Sequence, residues 1–160
     1  MKYLSAFLFL FLLACGNGEA DVAEDAGDRA TTAAQETAYK LMMDGHDRVM
    51  PMMGQITGTQ KTITEQLNAG GHGEDYRELL LAANEQLEDA HDGMMNWMNQ
   101  LRPLDELREE NDPDEVMNFI KEHTRSIADV EADIQASLAN ANEIIQGDSH
   151  VHDGTEDHEH

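Results

Sequence analysis

The stretch "NDPDEVMNFIKEHTRSIADVEADI", residues 111–134, decides the fold of this 160-residue chain. Asp112 is placed to act as an N-cap, Pro113 suits the first helical position, and two acidic residues follow in the first turn. Seam positions then recur at steps close to four and three, at Val116, Ile120, His123, Ile127, Val130, Ile134, Ala141 and Ile145. This spacing predicts a long amphipathic helix that ends near residue 146.

Two further helices are predicted upstream of this one. Apolar residues recur with helical spacing over about residues 35–68 and again over about residues 74–103. Between them, "NAGGHG" at 68–73 is a glycine-rich helix stop, and Pro51 weakens the first helix locally. We therefore expect an all-α fold in which residues 35–146 form an antiparallel, up-down-up three-helix bundle with long, coiled-coil-like helices.

The first fifteen residues, "MKYLSAFLFLFLLAC", are typical of a bacterial lipoprotein signal with a basic start, an apolar run and a small residue before Cys15. The apolar run is too short to span a bilayer comfortably. We expect residues 1–14 to be removed as a signal peptide and Cys15, the only cysteine, to carry the lipid. The protein would then reside in the bacterial cell envelope, periplasmic or surface-facing. Gly16 favours the outer membrane over the inner, since it stands where an inner-membrane retention signal has Asp.

Both ends of the predicted bundle differ from it in composition. Residues 15–34 are small and acidic, so they cannot bury enough surface to offset the entropy of ordering, and we expect a disordered tether. Residues 147–160, "GDSHVHDGTEDHEH", are predicted to form a disordered tail. Its histidines suit an open binding tract for Cu(II), Zn(II) or Ni(II), with a plain solvated terminus as the alternative. These metal-ligand candidates are His150, His152, His158 and His160.

The formal net charge of −23 limits the partners of this protein. Such a surface repels nucleic acid and anionic lipid headgroups, and it concentrates cations. The simpler interpretation is that acidic residues keep an envelope protein soluble. The charge therefore excludes nucleic acid as a partner without naming a ligand.

One motif occurs in both of the first two predicted helices, as "GHDRVMPMMGQ" at 45–55 and "AHDGMMNWMNQ" at 90–100. Each copy has His-Asp, a Met four residues after the His and another Met seven residues after it. Side chains with this spacing line one helix face and can converge on a single point. The residues concerned are His46, Met50 and Met53 in the first copy and His91, Met95 and Met98 in the second, with Met94 beside them.

Folding the two helices back about the glycine-rich turn brings these copies together. His46 is then expected opposite residues 96–97 and Met53 opposite residues 89–90, so that the motifs overlap in opposite directions. A second connection centred near residue 108 would place His123 opposite Gly93, in the same layer.

Imidazole and thioether together form a soft to borderline ligand set. Such a set favours Cu(I), offers little to Mg²⁺ or Ca²⁺, and gives Zn²⁺ little beyond its histidines. We therefore expect a copper ion as the cofactor, bound by some of His46, Met50, Met53, His91, Met94, Met95, Met98 and His123.

Two alternatives to an interior copper site remain open. Met fills irregular gaps in helical cores, so the pattern could be plain packing in a structural or interaction module whose coiled-coil surface docks a partner. A haem with His and Met axial ligands ranks lower, because the chain has no C-x-x-C-H motif and only 5% aromatic residues. No catalytic motif stands out, and we do not expect an enzyme. The expected partners are the membrane through the lipid, a metal ion, and either a second copy of the chain or another envelope protein.

The strings "HDRVMPMMGQI" at 46–56 and "MMNWM" at 94–98 resemble a group of small helical bacterial lipoproteins of uncharacterised function, often labelled "viral A-type inclusion protein". The resemblance covers the lipid-attachment region and the first two helices, roughly residues 1–100, and does not extend to the His-rich tail. It implies an envelope-anchored helical hairpin or bundle and assigns no reaction.

Overall fold

The computed structural model describes residues 18–151, with side chains described for residues 26–147. Within that range the chain forms four helices: α1 (Gly18–Ala69), α2 (Glu74–Gln100), α3 (Leu104–Glu110) and α4 (Pro113–Val151). No strand occurs among these residues, which confirms the all-α prediction. The number of helices differs from the three expected, because the predicted connection near residue 108 contains the short helix α3.

The helix boundaries also differ from the prediction at both ends. Residues 18–34, expected to be a disordered tether, form the beginning of α1, where several alanines favour the helical state. A hydrogen bond to α3 helps to hold part of this segment, since the Arg108 guanidinium donates to the Thr32 carbonyl at 2.9 Å. At the other end α4 continues to Val151, into the segment expected to be a disordered tail. The predicted signal peptide and Cys15 lie outside the described residues.

The boundary signals between the described helices act as the sequence predicts. Gly70 and Gly71 adopt φ angles of 71° and 87°, a region that side-chain-bearing residues rarely enter, and α1 ends directly before them. At the start of α4, the Asp112 carboxylate accepts hydrogen bonds from the backbone N–H groups of Asp114 and Glu115, at 3.0 and 2.9 Å. These bonds satisfy donors that the first turn of a helix otherwise leaves without partners.

Hydrogen bonds between side chains and neighbouring helices show that α1 and α2 run antiparallel. Close to the glycine turn, the Tyr76 hydroxyl donates to Gln66 Oε1 at 2.8 Å. At the far end of the pair, the Tyr39 hydroxyl donates to the Arg102 carbonyl at 2.9 Å. Burial raises the pKa of Tyr39 above its usual value, so the phenol remains a protonated donor at neutral pH. α1 continues through Pro51 without interruption.

The core lies where α4 packs against both α1 and α2. The side chains of Asn140 and Gln86 meet at 2.7 Å, and the Trp97 indole N–H donates to the His123 carbonyl at 3.0 Å, so α4 runs antiparallel to α2. The buried apolar residues are Met42, Val49, Ile56 and Ile63 on α1, Leu80, Ala83, Leu87, Ala90, Met94 and Trp97 on α2, Leu107 on α3, and Val116, Ile120, Ile127, Ile134, Leu138 and Ala141 on α4. None of the described helices is both long enough and apolar enough to cross a bilayer.

Candidate functional site

The two copies of the repeated motif lie level with each other on α1 and α2. The His46 ring stacks on the Trp97 indole with ring centroids 5.8 Å apart and an interplanar angle of 28°, as the expected register requires. Because the helices are antiparallel, the same register places Met98 level with His46, Met95 level with Met50, and His91 level with Met53. The contact between His46 and Trp97 agrees with the height expected for His46.

The motif residues belong to two half-buried to exposed stripes, one on α1 and one on α2. On α1, residues 46, 50, 53, 57 and 60 follow one another at steps of four and three, and on α2 residues 88, 91, 95 and 98 do the same. A cavity of about 340 Å³ lies at the end of these stripes that is nearer the glycine turn, and it is lined by Thr57, Gln60, Glu88, His91 and Asp92 but by none of the four candidate methionines. We call these stripes together the α1–α2 groove.

The groove is only partly shielded from water. Met50 and Met95 are each 39% exposed, and Met53 and Met98 are half-buried against the core. The His46 side chain is 20% exposed, whereas that of His91 is 41% exposed. The side chains of Met50, Met95 and His91 are therefore the motif residues most accessible from solvent.

Both motif histidines contact the carboxylate of the aspartate that follows them. His46 Nδ1 lies 3.0 Å from Asp47 Oδ1, and His91 Nδ1 lies 3.4 Å from Asp92 Oδ1. A carboxylate accepts only, so the neutral imidazole donates from Nδ1 and leaves its lone pair on Nε2. Histidines that ligate metals commonly donate their second ring nitrogen to a carboxylate in this way. In this tautomer Nε2 of each histidine carries the lone pair that a metal ligand requires.

His123 occupies a different position from the predicted one. It was expected opposite Gly93, but its carbonyl accepts the Trp97 indole N–H and its ring centroid lies 6.2 Å from that of Trp97. Gly93 instead lies next to Val130. The predicted pairing with Gly93 is wrong by about two helical turns, since Val130 is seven residues from His123, and α3 changes the length of the connection between α2 and α4.

The His123 ring is already engaged within α4. Its Nδ1 donates to the Phe119 carbonyl at 3.1 Å, and the ring stacks on Phe119 with centroids 3.8 Å apart. Trp97 contacts His46 of α1 and His123 of α4. Trp97 was not among the candidate site residues, although the expected register already placed His46 beside it.

Met94 differs from the other candidate ligands because it is completely buried and belongs to the core. Its thioether is packed among apolar side chains, not presented to the groove. Of the tail candidates, only the backbone of His150 is described, and His152, His158 and His160 lie outside the described residues.

Nitrogen and oxygen ligands alone do not form a metal site in the described part of the chain. No group of three or more His, Cys, Asp or Glu side chains there is arranged to hold a metal ion. A site in the groove would consequently depend on the methionines. Comparison with protein-family models, curated proteins and solved structures finds no match to this chain.

Proposed function

We propose that this protein binds Cu(I) in the α1–α2 groove and sequesters or delivers the metal in the bacterial envelope, where a lipid on Cys15 anchors it. The observation that carries the proposal is the shared height of the two motif copies. The ligands are His46, Met50, Met53, His91, Met95 and Met98. The scaffold is an up-down-up bundle of α1, α2 and α4.

The chemistry of the groove fits a soft monovalent ion. Its donors are two imidazole nitrogens and four thioether sulfurs, a set that suits Cu(I) better than Zn²⁺, Mg²⁺ or Ca²⁺. The negative net charge raises the local concentration of cations, and Glu88 and Asp92 add negative charge at one end of the groove. In this proposal His123 supports Trp97 through its carbonyl and is not a ligand.

The test is an anaerobic titration of Cu(I) against a competing chromophoric chelator. The protein is the full chain with Cys15→Ser and with His150, His152, His158 and His160 each replaced by Asn, so that the cysteine thiol and the tail imidazoles do not contribute. We call this protein the parent variant. It is compared with a groove variant that adds Met50→Leu, Met53→Leu, Met95→Leu and Met98→Leu.

Leucine preserves apolar bulk, so the groove variant should keep its helical circular dichroism signal. We expect its Cu(I) affinity to fall by more than the roughly 10–100-fold typical for loss of a supporting residue at a metal site. A matched control replaces the buried methionines, Met42→Leu and Met94→Leu, and should retain Cu(I) binding. A folded parent variant that fails to compete for Cu(I) would overturn the proposal.

A second candidate function is docking of a protein partner or of a second copy of the chain. Leu41 favours it, because this side chain is 60% exposed and lines an open cavity with the apolar residues Met117 and Ile120. Leu79 and Leu81, at the other end of the helix pair, are 51% and 54% exposed. Sedimentation equilibrium of the parent variant and of Leu41→Glu/Leu79→Glu/Leu81→Glu tests it for self-association. A metal-free parent that is monomeric at all concentrations would exclude the second copy as the partner.

A further inference from the structure

Two methionines of this chain take no part in packing. Among the nine whose side chains the structure describes, Met50 and Met95 are each 39% exposed, and they belong neither to the core nor to the residues packed against it. Met42 and Met94 are completely buried. The others are half-buried against the core, at Met43, Met52, Met53, Met98 and Met117. Packing therefore accounts for seven of these methionines and leaves the thioethers of Met50 and Met95 unexplained.

These two thioethers lie on the same side of the helix pair. The antiparallel register fixed by the contact between His46 and Trp97 places Met50 and Met95 at about the same height. The cavity nearer the glycine turn is lined by later members of the same two stripes, so the stripes face one another across the α1–α2 groove. The bundle consequently presents both sulfur atoms to solvent in one region of its surface.

The reaction open to an exposed thioether is oxidation to the sulfoxide, which methionine sulfoxide reductases reverse. An oxidant must contact the sulfur atom, and 39% exposure permits this without opening the core. The net charge of −23 repels anionic oxidants, whereas it does not repel small neutral ones. Hydrogen peroxide and hypohalous acids are oxidants of this neutral class.

We propose that Met50 and Met95 form a reversible oxidation site that consumes a small neutral oxidant. With hydrogen peroxide, a sulfur lone pair attacks one peroxide oxygen, the S–O bond forms and the O–O bond breaks. The thioether loses two electrons, and the second oxygen leaves as water after proton transfer. A reductase returns the sulfoxide to the thioether by oxidising two thiols to a disulfide, with release of water. This inference does not depend on Cu(I) binding.

The fold tolerates oxygen at these two positions and not at the buried ones. A sulfoxide is polar, so at Met94 it would bring an oxygen without a hydrogen-bond partner into the apolar core. At Met50 and Met95 the added oxygen remains in contact with water. The bundle should therefore stay folded when both are oxidised, and both sulfoxides should remain accessible to a reductase.

The experiment treats the metal-free parent variant, which has no cysteine thiol, with hydrogen peroxide. Peptide mapping by mass spectrometry follows oxygen addition at each methionine over time, beside the circular dichroism signal. We expect Met50 and Met95 to be oxidised at least about tenfold faster than Met42 and Met94, because the buried pair reacts only when the core opens. The helical signal should be unchanged when both exposed methionines are oxidised. Reductases for both sulfoxide epimers, supplied with a dithiol, should then restore both.

Two leucine variants of the parent serve as matched controls. Met50→Leu/Met95→Leu should lose the fast phase of peroxide consumption, whereas Met42→Leu/Met94→Leu should keep it. Equal oxidation rates at the exposed and buried pairs of the folded parent would overturn the proposal, whether or not the variants fold. Sulfoxides at Met50 and Met95 that unfold the bundle, or that the reductases leave in place, would overturn the reversible site. Failure of the parent to bind Cu(I) is a separate result, because it overturns the proposed function and leaves the oxidation site standing.

Discussion

At the scale of single residues, two adjacent methionines have opposite environments. Met94 is completely buried in the core, whereas Met95 is 39% exposed at the groove. One residue along a helix turns a side chain by about 100°, so neighbours can serve different faces. The sequence pattern placed both among the candidate ligands, because spacing alone does not reveal which face meets another helix. Only the packing of α4 separates the core methionine from the groove methionine.

Gln35 is the only buried polar residue among those whose side chains are described, and it joins three helices. Its Oε1 accepts a hydrogen bond from Arg108 Nε at 2.9 Å, and its Nε2 donates to the Pro113 carbonyl at 3.3 Å. Gln35→Leu removes both hydrogen bonds at once and leaves Arg108 Nε without this acceptor, so we expect a loss of about 1–3 kcal/mol in the free energy of unfolding. Urea denaturation followed by circular dichroism measures it. Gln55→Leu, at an exposed position of the same helix, should change stability little, and equal stability of the two variants would contradict the argument.

At the scale of helices, the starts and stops with a chemical signature were predictable. Asp112 caps the beginning of α4, and Gly70 and Gly71 follow the end of α1, both where the sequence indicated. The start of α1 was not predictable in this way. Residues 18–34 have no large apolar residues at helical spacing, so a prediction from that spacing finds no helix there. In the structure these residues are nevertheless part of α1.

Two glycines of α1 should respond to alanine in opposite directions. A Cβ at Gly45 would lie 2.9 Å from Ile127 Cγ2, whereas a Cβ at Gly58 would have no atom within 4 Å. Gly58→Ala should therefore stabilise by about 1 kcal/mol, the difference in helix propensity. Gly45→Ala makes the same local gain but overpacks the contact with α4, at a cost of about 1–3 kcal/mol.

Thermal unfolding of the two glycine variants beside the unsubstituted protein measures the difference. We expect a higher Tm for Gly58→Ala and a lower Tm for Gly45→Ala. A rise in Tm for both would mean that α1 and α4 are not in close contact at Gly45.

At the scale of the whole molecule, the register between α1 and α2 was predictable, whereas the register between α2 and α4 was not. The turn between α1 and α2 is short and marked by glycines, so its centre could be read closely enough to place His46 beside Trp97. The connection between α2 and α4 contains α3, whose seven residues carry one buried side chain, Leu107. Such a short segment lacks a recognisable period, and the error of about two turns in the pairing of His123 follows from it. Which motif side chains stay exposed likewise depends on how α1, α2 and α4 pack together, and the pattern within one helix does not determine that packing.

The charge of the molecule gives the last prediction. Like charges recur four residues apart on the helices, as at Glu74 and Glu78, Glu85 and Asp89, and Asp129 and Asp133. Each such pair destabilises a helix by about 0.2–0.5 kcal/mol, and the overall charge of −23 adds longer-range repulsion.

Because salt screens repulsion between exposed charges, raising NaCl from about 0.01 to 0.5 M should raise the Tm. The variant Glu78→Gln/Glu85→Gln/Asp129→Asn should be more stable at low salt, by about 1 kcal/mol if the pairs act independently, and should gain less from added salt. A Tm that falls with salt would show instead that favourable ion pairs, such as Arg102 with Glu106 and Glu110, outweigh the repulsion.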